Sequence, residues 1–326
     1  MVATATTIAK TTTQVGNRED LEDIISRVAP EETPFSNNIG SRKDAKNTFH
    51  EWQLEDLDDP NANNAQLEGD DTNDFEENVT DRVGNRTQIF KRAFRVSGTQ
   101  EKVDKAGRKS EIGRHRAIKG RELKRDCEAA MLSANGSRKE QGSNGRLLGG
   151  SQSWIETNAN RGAGGAAGGF DQQSSQVLAP TAGTARVFED SQLEDVMQQI
   201  FTNGGTMKRR TLYLSPFNKR KFSGFTGIAE NRNQIQGQKM ARIIGAAELY
   251  QSDFGELAAV PCAYGLQGAA MVIDHDYWGK ATLRPMKTEK LSKTGDNEKH
   301  HIIMEKTLVC ENERASGIIA DLTEAA

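Results

Sequence analysis

The feature that most constrains this chain is a stretch of about 36 residues, Thr99–Ala134, with helical periodicity along its length. Small or apolar side chains recur in it mostly at spacings of three, four or seven residues, and Lys and Arg crowd its other faces. At about 1.5 Å of rise per residue, one helix of this length would span roughly 50 Å. We therefore expect a single long helix that exceeds the diameter of a small domain and against which other parts of the chain pack.

Two glycines, Gly113 and Gly120, lie within the small-residue stripe of this predicted helix. Glycine in a helix interior costs about 1 kcal/mol relative to alanine, so close approach of another backbone would have to compensate. We therefore expect larger residues at these two positions to impair folding or assembly more than the same change at Gly136, which we predict to be exposed.

Charge is strongly separated along the chain, although the net charge is only −3. The segment 51–81 is rich in Asp and Glu and contains no Lys or Arg, whereas Lys and Arg dominate 82–125. An acidic block followed by a basic block favours contacts between the two, within one chain or between copies.

The cysteines Cys127, Cys262 and Cys310 are far apart in the sequence and form no C-x-x-C pair. This spacing predicts reduced thiols and neither a disulfide framework nor a structural zinc site. The N-terminus lacks the pattern of a secretory signal, and no apolar run reaches the roughly 18 residues of a membrane helix. We therefore expect a soluble protein of the cytosol.

Two predicted strands, 48–54 and 88–96, flank a long acidic segment rich in Asn and Asp. On the second strand, Phe90, Phe94 and Val96 share one side. A loop this long is uncommon inside a compact domain, so we predict an extended two-stranded arm that projects from the body. Because an isolated hairpin is marginally stable in water, such an arm needs another surface to lie on.

The rest of the chain reads as a mixture of helices and strands, which predicts the α+β class. A short helix is predicted over 17–29, and a second one follows residue 187, with Leu193, Val196 and Met197 on its apolar face. The low complexity of 136–180 predicts a flexible excursion. Further predicted strands are 211–214, 242–251, 257–263, 269–274, 281–283, 301–309 and 316–322.

No candidate for catalysis or for cofactor or metal binding withstands inspection. The glycine run 162–169 lacks the Gly-Lys-Ser/Thr ending of a phosphate-binding loop, which favours a linker. Asp274, His275 and Asp276 are adjacent, so on a strand they would point to opposite faces; a turn is favoured over a metal site. His300 and His301 lie in a charged segment and are predicted to be solvated. We expect a protein that is not an enzyme.

The basic face of the predicted helix 99–134 allows two interpretations. Nucleic-acid binding would use such a face for phosphate contacts, as in a DNA-binding or packaging-associated protein. Six acidic residues interrupt the face, however, and the chain carries its own matching acidic block. Contact between subunits, with the arm of one lying on the body of the next, is therefore favoured.

Five segments carry a family resemblance: GNREDLEDIISRVAPEETPFSNNIG (16–40), FHEWQ (49–53), NNAQLEGDD (63–71), VSGTQEKVDKAGRKSE (96–111) and ELKRDCEAAML (122–132). They are similar to the major capsid proteins of tailed bacteriophages with the HK-ninety-seven-like fold, in a subfamily long catalogued as of unknown function. The resemblance is specific over about 16–135, and over 185–326 it rests on the order of elements alone.

The resemblance implies a division of the chain into named regions. They are an N-terminal arm (1–46), an extended two-stranded loop (47–97), a peripheral domain (98–204) with spine helix 99–134 and a glycine-rich insertion (136–180), an axial domain (205–280), and return strands of the peripheral domain (281–326).

The resemblance also implies a function and partners. Pentamers and hexamers of the chain would build an icosahedral shell around double-stranded DNA, without sequence-specific recognition of that DNA. The implied partners are a portal and, since no scaffold-like N-terminal extension is visible, a separate scaffolding protein. Assembly is expected in the host cytoplasm, without a membrane. A cellular nanocompartment of the same fold is the alternative within this class.

Charge complementarity predicts which residues meet between subunits. Acids of one subunit's arm are expected to face bases of its neighbour, with aromatic residues as apolar anchors. The predicted acids are Glu55, Asp56, Asp58 and Asp59, the bases are Arg92, Arg95, Arg108 and Lys109, and the anchors are Trp52 and Phe90.

Overall fold

The computed structural model describes residues 32–58, 60–66, 68–69, 71, 78–105, 109–204, 208–225 and 249–324. Helices and strands are mixed along the chain, which confirms the predicted α+β class. Within these ranges the helices are α1 (Pro34–Asn38), α2 (Gly98–Lys102), α3 (Glu111–Met131), α4 (Ser151–Trp154), α5 (Asp190–Gly204) and α6 (Pro216–Phe222).

The strands form two larger sheets, β1-β12-β13-β4 and β5-β14-β11-β8-β10-β9, and two hairpins, β2-β3 and β6-β7. The strands are β1 (Gly40–Ser41), β2 (Phe49–Leu54), β3 (Asp81–Arg86), β4 (Gln88–Ser97), β5 (Ala159–Asn160), β6 (Gly169–Asp171), β7 (Gln176–Leu178), β8 (Arg210–Leu214), β9 (Leu249–Ser252), β10 (Gly255–Pro261), β11 (Ala270–Ile273), β12 (Trp278–Leu291), β13 (Asn297–Cys310) and β14 (Gly317–Ile319).

The central strands of the six-stranded sheet, β14, β11 and β8, are buried on both faces. On β8, Leu212 and Leu214 lie in a core with residues of α5 and α6, whereas Tyr213 between them lies in a second core with residues of α3. The same alternation holds on β14, where Ile319 belongs to the first core and Ile318 to the second. This explains why these strands read as near-continuous apolar runs rather than as alternating ones.

The four-stranded sheet packs against α3. Leu123 and Met131 of the helix share the second core with Phe90 of β4 and with Ile302 and Met304 of β13. Strands β12 and β13 each contain 14 residues and form a long hairpin, so both exceed their predicted lengths. The helix and this sheet together form one wall of the subunit.

The prediction of one helix over 99–134 is wrong. Helix α2 ends where Val103 adopts an extended backbone, and α3 starts anew after Ser110. The Ser110 hydroxyl accepts a hydrogen bond from the amide of Gly113, so it caps the second helix. At 21 residues, α3 is about 31 Å long rather than 50 Å.

A carboxylate of α2 adds a second cap to α3. Glu101 accepts hydrogen bonds from the amides of Glu111 and Ile112, at 2.9 and 3.2 Å. A hydrogen bond from the Ser110 side chain, together with these amides, lowers the pKa of Glu101. An ionised carboxylate at a helix N-terminus stabilises that helix. Glu101 of α2 therefore stabilises the separate start of α3.

The predicted flexible excursion over 136–180 is also wrong, because this segment packs into the body. Trp154 and Ile155 are buried in the core shared with α3, and β5 pairs with β14. A Cβ atom at Gly162 or Gly168 would collide with neighbouring backbone. The glycines therefore allow close packing, and the low complexity does not indicate a linker.

Other predictions have mixed outcomes. Cys127, Cys262 and Cys310 are buried free thiols, as predicted. His300 is buried and stacks on Phe94 at 5.4 Å between ring centroids, so its predicted solvation is wrong. Among the described residues, no helix is long and apolar enough to cross a membrane. The predicted helix 17–29 and most of strand 242–251 lie outside the described residues.

The expected order of harm at three glycines is reversed by their surroundings. A Cβ at Gly120 would meet its nearest neighbour, Ile302, at an ordinary 4.0 Å, and one at Gly113 would also make only ordinary contact. A Cβ at Gly136 would lie 2.7 Å from the backbone nitrogen of Ala179, which is too close. Close backbone packing therefore occurs at Gly136 rather than in α3.

Replacing Gly120 by alanine should stabilise the subunit by about 1 kcal/mol, because α3 gains helix propensity without a clash. Replacing Gly136 by alanine should destabilise it, because the backbone at Ala179 must shift. Thermal unfolding of both variants measures the difference. If Gly136→Ala unfolds no earlier than wild type, this account of the glycines is incorrect.

A buried carboxylate, Glu305 of β13, joins three parts of the body. It accepts hydrogen bonds from Thr87 Oγ1 at 2.6 Å, Arg146 Nη2 at 2.7 Å and Arg284 Nε at 2.9 Å. Burial alone would raise the pKa of Glu305, but the three hydrogen bonds together lower it. Ionised Glu305 therefore ties the 136–180 segment to the four-stranded sheet.

Replacing Glu305 by glutamine should destabilise the subunit by roughly 3 kcal/mol near neutral pH, because two arginines lose their buried partner. The pKa of Glu305 in the folded state lies below the ordinary value of 4.5. Its stabilising contribution is therefore present above that value and is lost as the pH falls through the folded pKa. Urea unfolding at pH 7 and pH 3 measures this, and an equal difference between wild type and variant at both pH values would contradict it.

Candidate functional site

The candidate site is an arm that begins with the hairpin of β2 and β3. The two strands pair antiparallel from Phe49 opposite Arg86 to Leu54 opposite Asp81. Strand β4 was predicted to delimit the arm, but it pairs with β13 in the body instead. The arm therefore leaves the body at β2 and returns at β3, a strand that the sequence analysis missed.

We call β2, β3 and Asp56 the root of the arm. Trp52 of β2 fixes this root to its own subunit. The indole Nε1 donates a hydrogen bond to the carbonyl of Cys310 at 2.9 Å. The ring also packs on Trp154, with 5.5 Å between centroids, and Trp154 in turn stacks on Phe170. The ring of Trp52 is thus partly buried within its own chain, and its predicted role as an anchor between subunits stays a prediction.

One predicted interface acid also has a partner in its own chain. Asp56 forms an ion pair with Arg314 at 2.6 Å, just beyond the end of β2. Around this pair lies an open groove of about 680 Å³ between the arm and the loop that follows β13. This ion pair therefore joins the arm, just beyond β2, to the body of its own subunit.

Beyond Asp56, every described residue of the arm up to β3 is exposed. Leu57 and Val79 are 85% and 84% exposed, which is unusual for large apolar side chains. Glu55 and Asp58 are exposed as well, and Asp59 lies outside the described residues. The described residues between Asp56 and β3 thus present acidic and apolar side chains to solvent.

The predicted basic partners have different environments. Arg92 donates to both carboxylate oxygens of Asp126, each at 2.6 Å, and this hydrogen-bonded pair raises the pKa of Arg92. Arg95 and Lys109 are exposed and make no ion pair within the described residues. Arg108 lies outside the described residues.

Phe90 is 5% exposed and sits in the core beneath α3, so the prediction that it anchors a neighbouring subunit is wrong. The alternation of Phe90, Phe94 and Val96 was read correctly, but all three face the helix of their own chain. The apolar side chains that the arm does expose, Leu57 and Val79, were not singled out from the sequence. Their isolation among polar residues gave no periodic signal.

Two of the bases of α3 are paired with acids of the same helix, and a third lies over an aromatic ring. Arg114 pairs with Glu111, and Lys119 pairs with Glu122. The Arg125 guanidinium lies over the ring of Tyr264 at 4.6 Å. The two paired bases, Arg114 and Lys119, are therefore less available for phosphate contacts than an unpaired base would be.

Nothing in the described residues gathers three His, Cys, Asp or Glu side chains into a possible metal site. Asp274 caps a short 3-10 turn, His275–Tyr277, as the turn prediction required. The Tyr213 hydroxyl lies 2.7 Å from His275 Nε2, and burial lowers the pKa of His275. This cluster holds a strand end in place.

Replacing Trp52 by alanine should destabilise the subunit by about 2–4 kcal/mol, because the ring's packing and its hydrogen bond to Cys310 are lost. Replacing Leu57 by serine should leave stability unchanged within about 0.5 kcal/mol, since that side chain is exposed. Chemical denaturation of both variants compares them. Equal effects would show that the root is not fixed as described.

The chain is similar in sequence to known capsid proteins. Residues 5–323 match the family described as SU10 major capsid protein. The curated major capsid protein of Escherichia phage Phieco32 is 26% identical to this chain over an alignment of 343 positions, which covers 94% of each sequence.

Solved structures with similar folds are also phage capsids. The capsid asymmetric unit of cyanophage A-1(L) matches with a TM-score of 0.62 and 11% identity, covering 94% of this chain and 97% of that one. The capsid asymmetric unit of cyanophage Pam1 matches with a TM-score of 0.60 and 8% identity, covering 98% and 99%. The likeness confirms the predicted HK-ninety-seven-like fold.

Proposed function

We propose a mechanism of shell assembly from the premise that this chain belongs to the SU10 major capsid protein family. It is the major capsid protein of a bacteriophage, and many copies of it form the capsid shell of the virion. The mechanism concerns how one copy holds the next.

The distal arm, which we define as residues 55–80 apart from Asp56, lies on a neighbouring subunit. An isolated two-stranded hairpin is marginally stable in water, and this one exposes Leu57 and Val79 beyond its root. A neighbour's surface would bury both side chains and face the acids Glu55 and Asp58. The separation between a fixed root and an exposed distal arm is the observation that carries this proposal.

The basic partners on the neighbour are Arg95, at the end of β4, and Lys109, just before α3. Both side chains are exposed and make no ion pair among the described residues, unlike Arg92. Arg108 and Asp59 remain in the proposed interface as sequence-based members. Each exposed pair contributes only about 0–1 kcal/mol, and shell closure multiplies such contacts for every subunit.

The regions of the fold take the names that the family implies. The arm, from β2 to β3, is the extended loop, and α3 with the four-stranded sheet is the peripheral domain. The six-stranded sheet with α5 and α6 is the axial domain. On this assignment the axial domain includes β5, continues from near residue 187 instead of 205, and includes β14, so not all of 281–326 returns to the peripheral domain.

The larger assembly follows from the same family. Pentamers and hexamers form an icosahedral shell that encloses double-stranded DNA without reading its sequence. A portal and a separate scaffolding protein take part, and assembly occurs in the host cytoplasm. The chain has a structural role and no catalytic one.

Reversing the charge of the distal acids should weaken or block shell formation while the subunit stays folded. The variant combines Glu55→Lys, Asp58→Lys and Asp59→Lys and leaves Asp56, which pairs within the chain, unchanged. Electron microscopy and light scattering measure the yield of shells, and circular dichroism checks the fold. Shells in normal yield would contradict the electrostatic part of the proposal.

A charge-swap variant is the matched control. Adding Arg95→Glu and Lys109→Glu to the reversed arm should restore part of the yield, because each contact regains opposite charges. The DNA-binding alternative predicts instead that the wild-type chain binds duplex DNA below micromolar concentration with a steep salt dependence. Such binding by a chain that forms no oligomers would overturn the proposed function.

A further inference from the structure

A second group of charged side chains without ion pairs among the described residues lies beside α1. A pocket of about 240 Å³ opens between α1, α3 and the β12–β13 hairpin. Three lysines line it, Lys124 from α3, Lys280 from β12 and Lys306 from β13. We call it the lysine pocket.

The three lysines have no carboxylate partner among the described residues. Lys280 donates to the carbonyl of Ser36 at 2.5 Å, and the nearby carboxylate of Glu128 is already occupied by the amides of Phe35 and Ser36, at 2.8 and 2.7 Å. Lys280 lies opposite Leu308 and Thr282 opposite Lys306, so the two lysines are diagonal neighbours on one face. Like charges in this position repel each other, and an anion between them would remove that cost.

Methionines form most of the apolar part of the wall, beside the polar residues of α1. Met131, Met286 and Met304 line the pocket, and Met286 is 47% exposed. Methionine adapts its shape to varied apolar partners, so the pocket suits a ligand that carries both carboxylates and aliphatic side chains. An acidic amphipathic peptide has this chemistry, whereas a free inorganic anion would leave the methionines uncovered.

The chain itself supplies such a peptide at the mouth of the pocket. Thr33 and Ser36 line the pocket, so the segment that precedes Thr33 is tethered at its edge. The segment 19–28 reads EDLEDIISRV, with four acids followed by aliphatic residues. Ten residues separate position 23 from Thr33 and can span up to about 35 Å, so the tether allows the acids to reach the lysines at high effective concentration.

We propose that residues 19–28 dock in the lysine pocket of their own subunit, with carboxylates from 19–23 against Lys124 and Lys306. Apolar side chains of the same segment cover the methionines. The contact is made within one chain and does not require the shell. The lysine pocket thereby binds residues 19–28 and holds them beside α3.

Zero-length carbodiimide cross-linking of the full-length chain tests the proposal directly. Cross-links from Lys124 or Lys306 to acids in 19–23, identified by mass spectrometry, are expected. In a mixture of isotopically light and heavy subunits, the linked peptides should carry a single label. Links to the acids of 55–81, mixed-label links or the absence of links would each overturn the proposal.

Charge reversal supplies a second readout. Lys124→Glu with Lys306→Glu should raise the rate of tryptic cleavage after Arg27 by about tenfold, because undocked segments are cleaved more readily. Adding Asp20→Lys and Asp23→Lys should restore protection. The control is Lys91→Glu, at an exposed lysine of β4 outside the pocket. Equal cleavage in all variants contradicts docking, and electron microscopy of the same samples reports shell formation independently.

Discussion

The architecture of this subunit depends on burial of the central strands of the six-stranded sheet on both faces. Its strand β14 comes from the end of the chain and lies between β5 and β11, so segments far apart in sequence must meet before either core closes. Helix α5 approaches β14 so closely that a Cβ at Gly317 would collide with Val196. The body closes around this sheet and around the start of the arm at Trp52, whereas the described residues between Asp56 and β3 stay exposed and are available for other contacts.

In the proposed mechanism, the root of the arm stabilises the subunit and the distal arm makes the contact with the next subunit. Trp52 and Asp56 fix the root through Cys310 and Arg314 of the same chain. The described residues between Asp56 and β3 are all exposed. A shell built from many weak contacts needs this arrangement, because a subunit must fold alone and still present an incomplete surface to the next one.

Much of the fold could be predicted from periodicity. The apolar face of α5, with Leu193, Val196 and Met197, was identified correctly, and so was the alternation of Phe90 and Phe94 on β4. The partner of each face could not be predicted, because alternation indicates burial without naming the surface that buries it. Phe90 was therefore assigned to a neighbouring subunit although it packs under α3 of its own.

The errors arose where local signals compete with tertiary contacts. The break between α2 and α3 depends on Ser110 and on Glu101, and caps of this kind are weak in sequence beside a continuous helical period. Within 136–180, glycines that allow backbones to touch have the same composition as a linker. Arg92 has an acid of its own chain within reach in Asp126, which no linear charge pattern reveals, and its role between subunits stays a prediction.

Electron cryomicroscopy of particles assembled from the full chain tests the central claim most directly. The account predicts density for the distal arm against an adjacent subunit, while Trp52 remains bonded to Cys310 and Asp56 to Arg314 within one chain. An arm that lies on its own subunit in the assembled shell, or a root that detaches from Cys310 and Arg314, would contradict it.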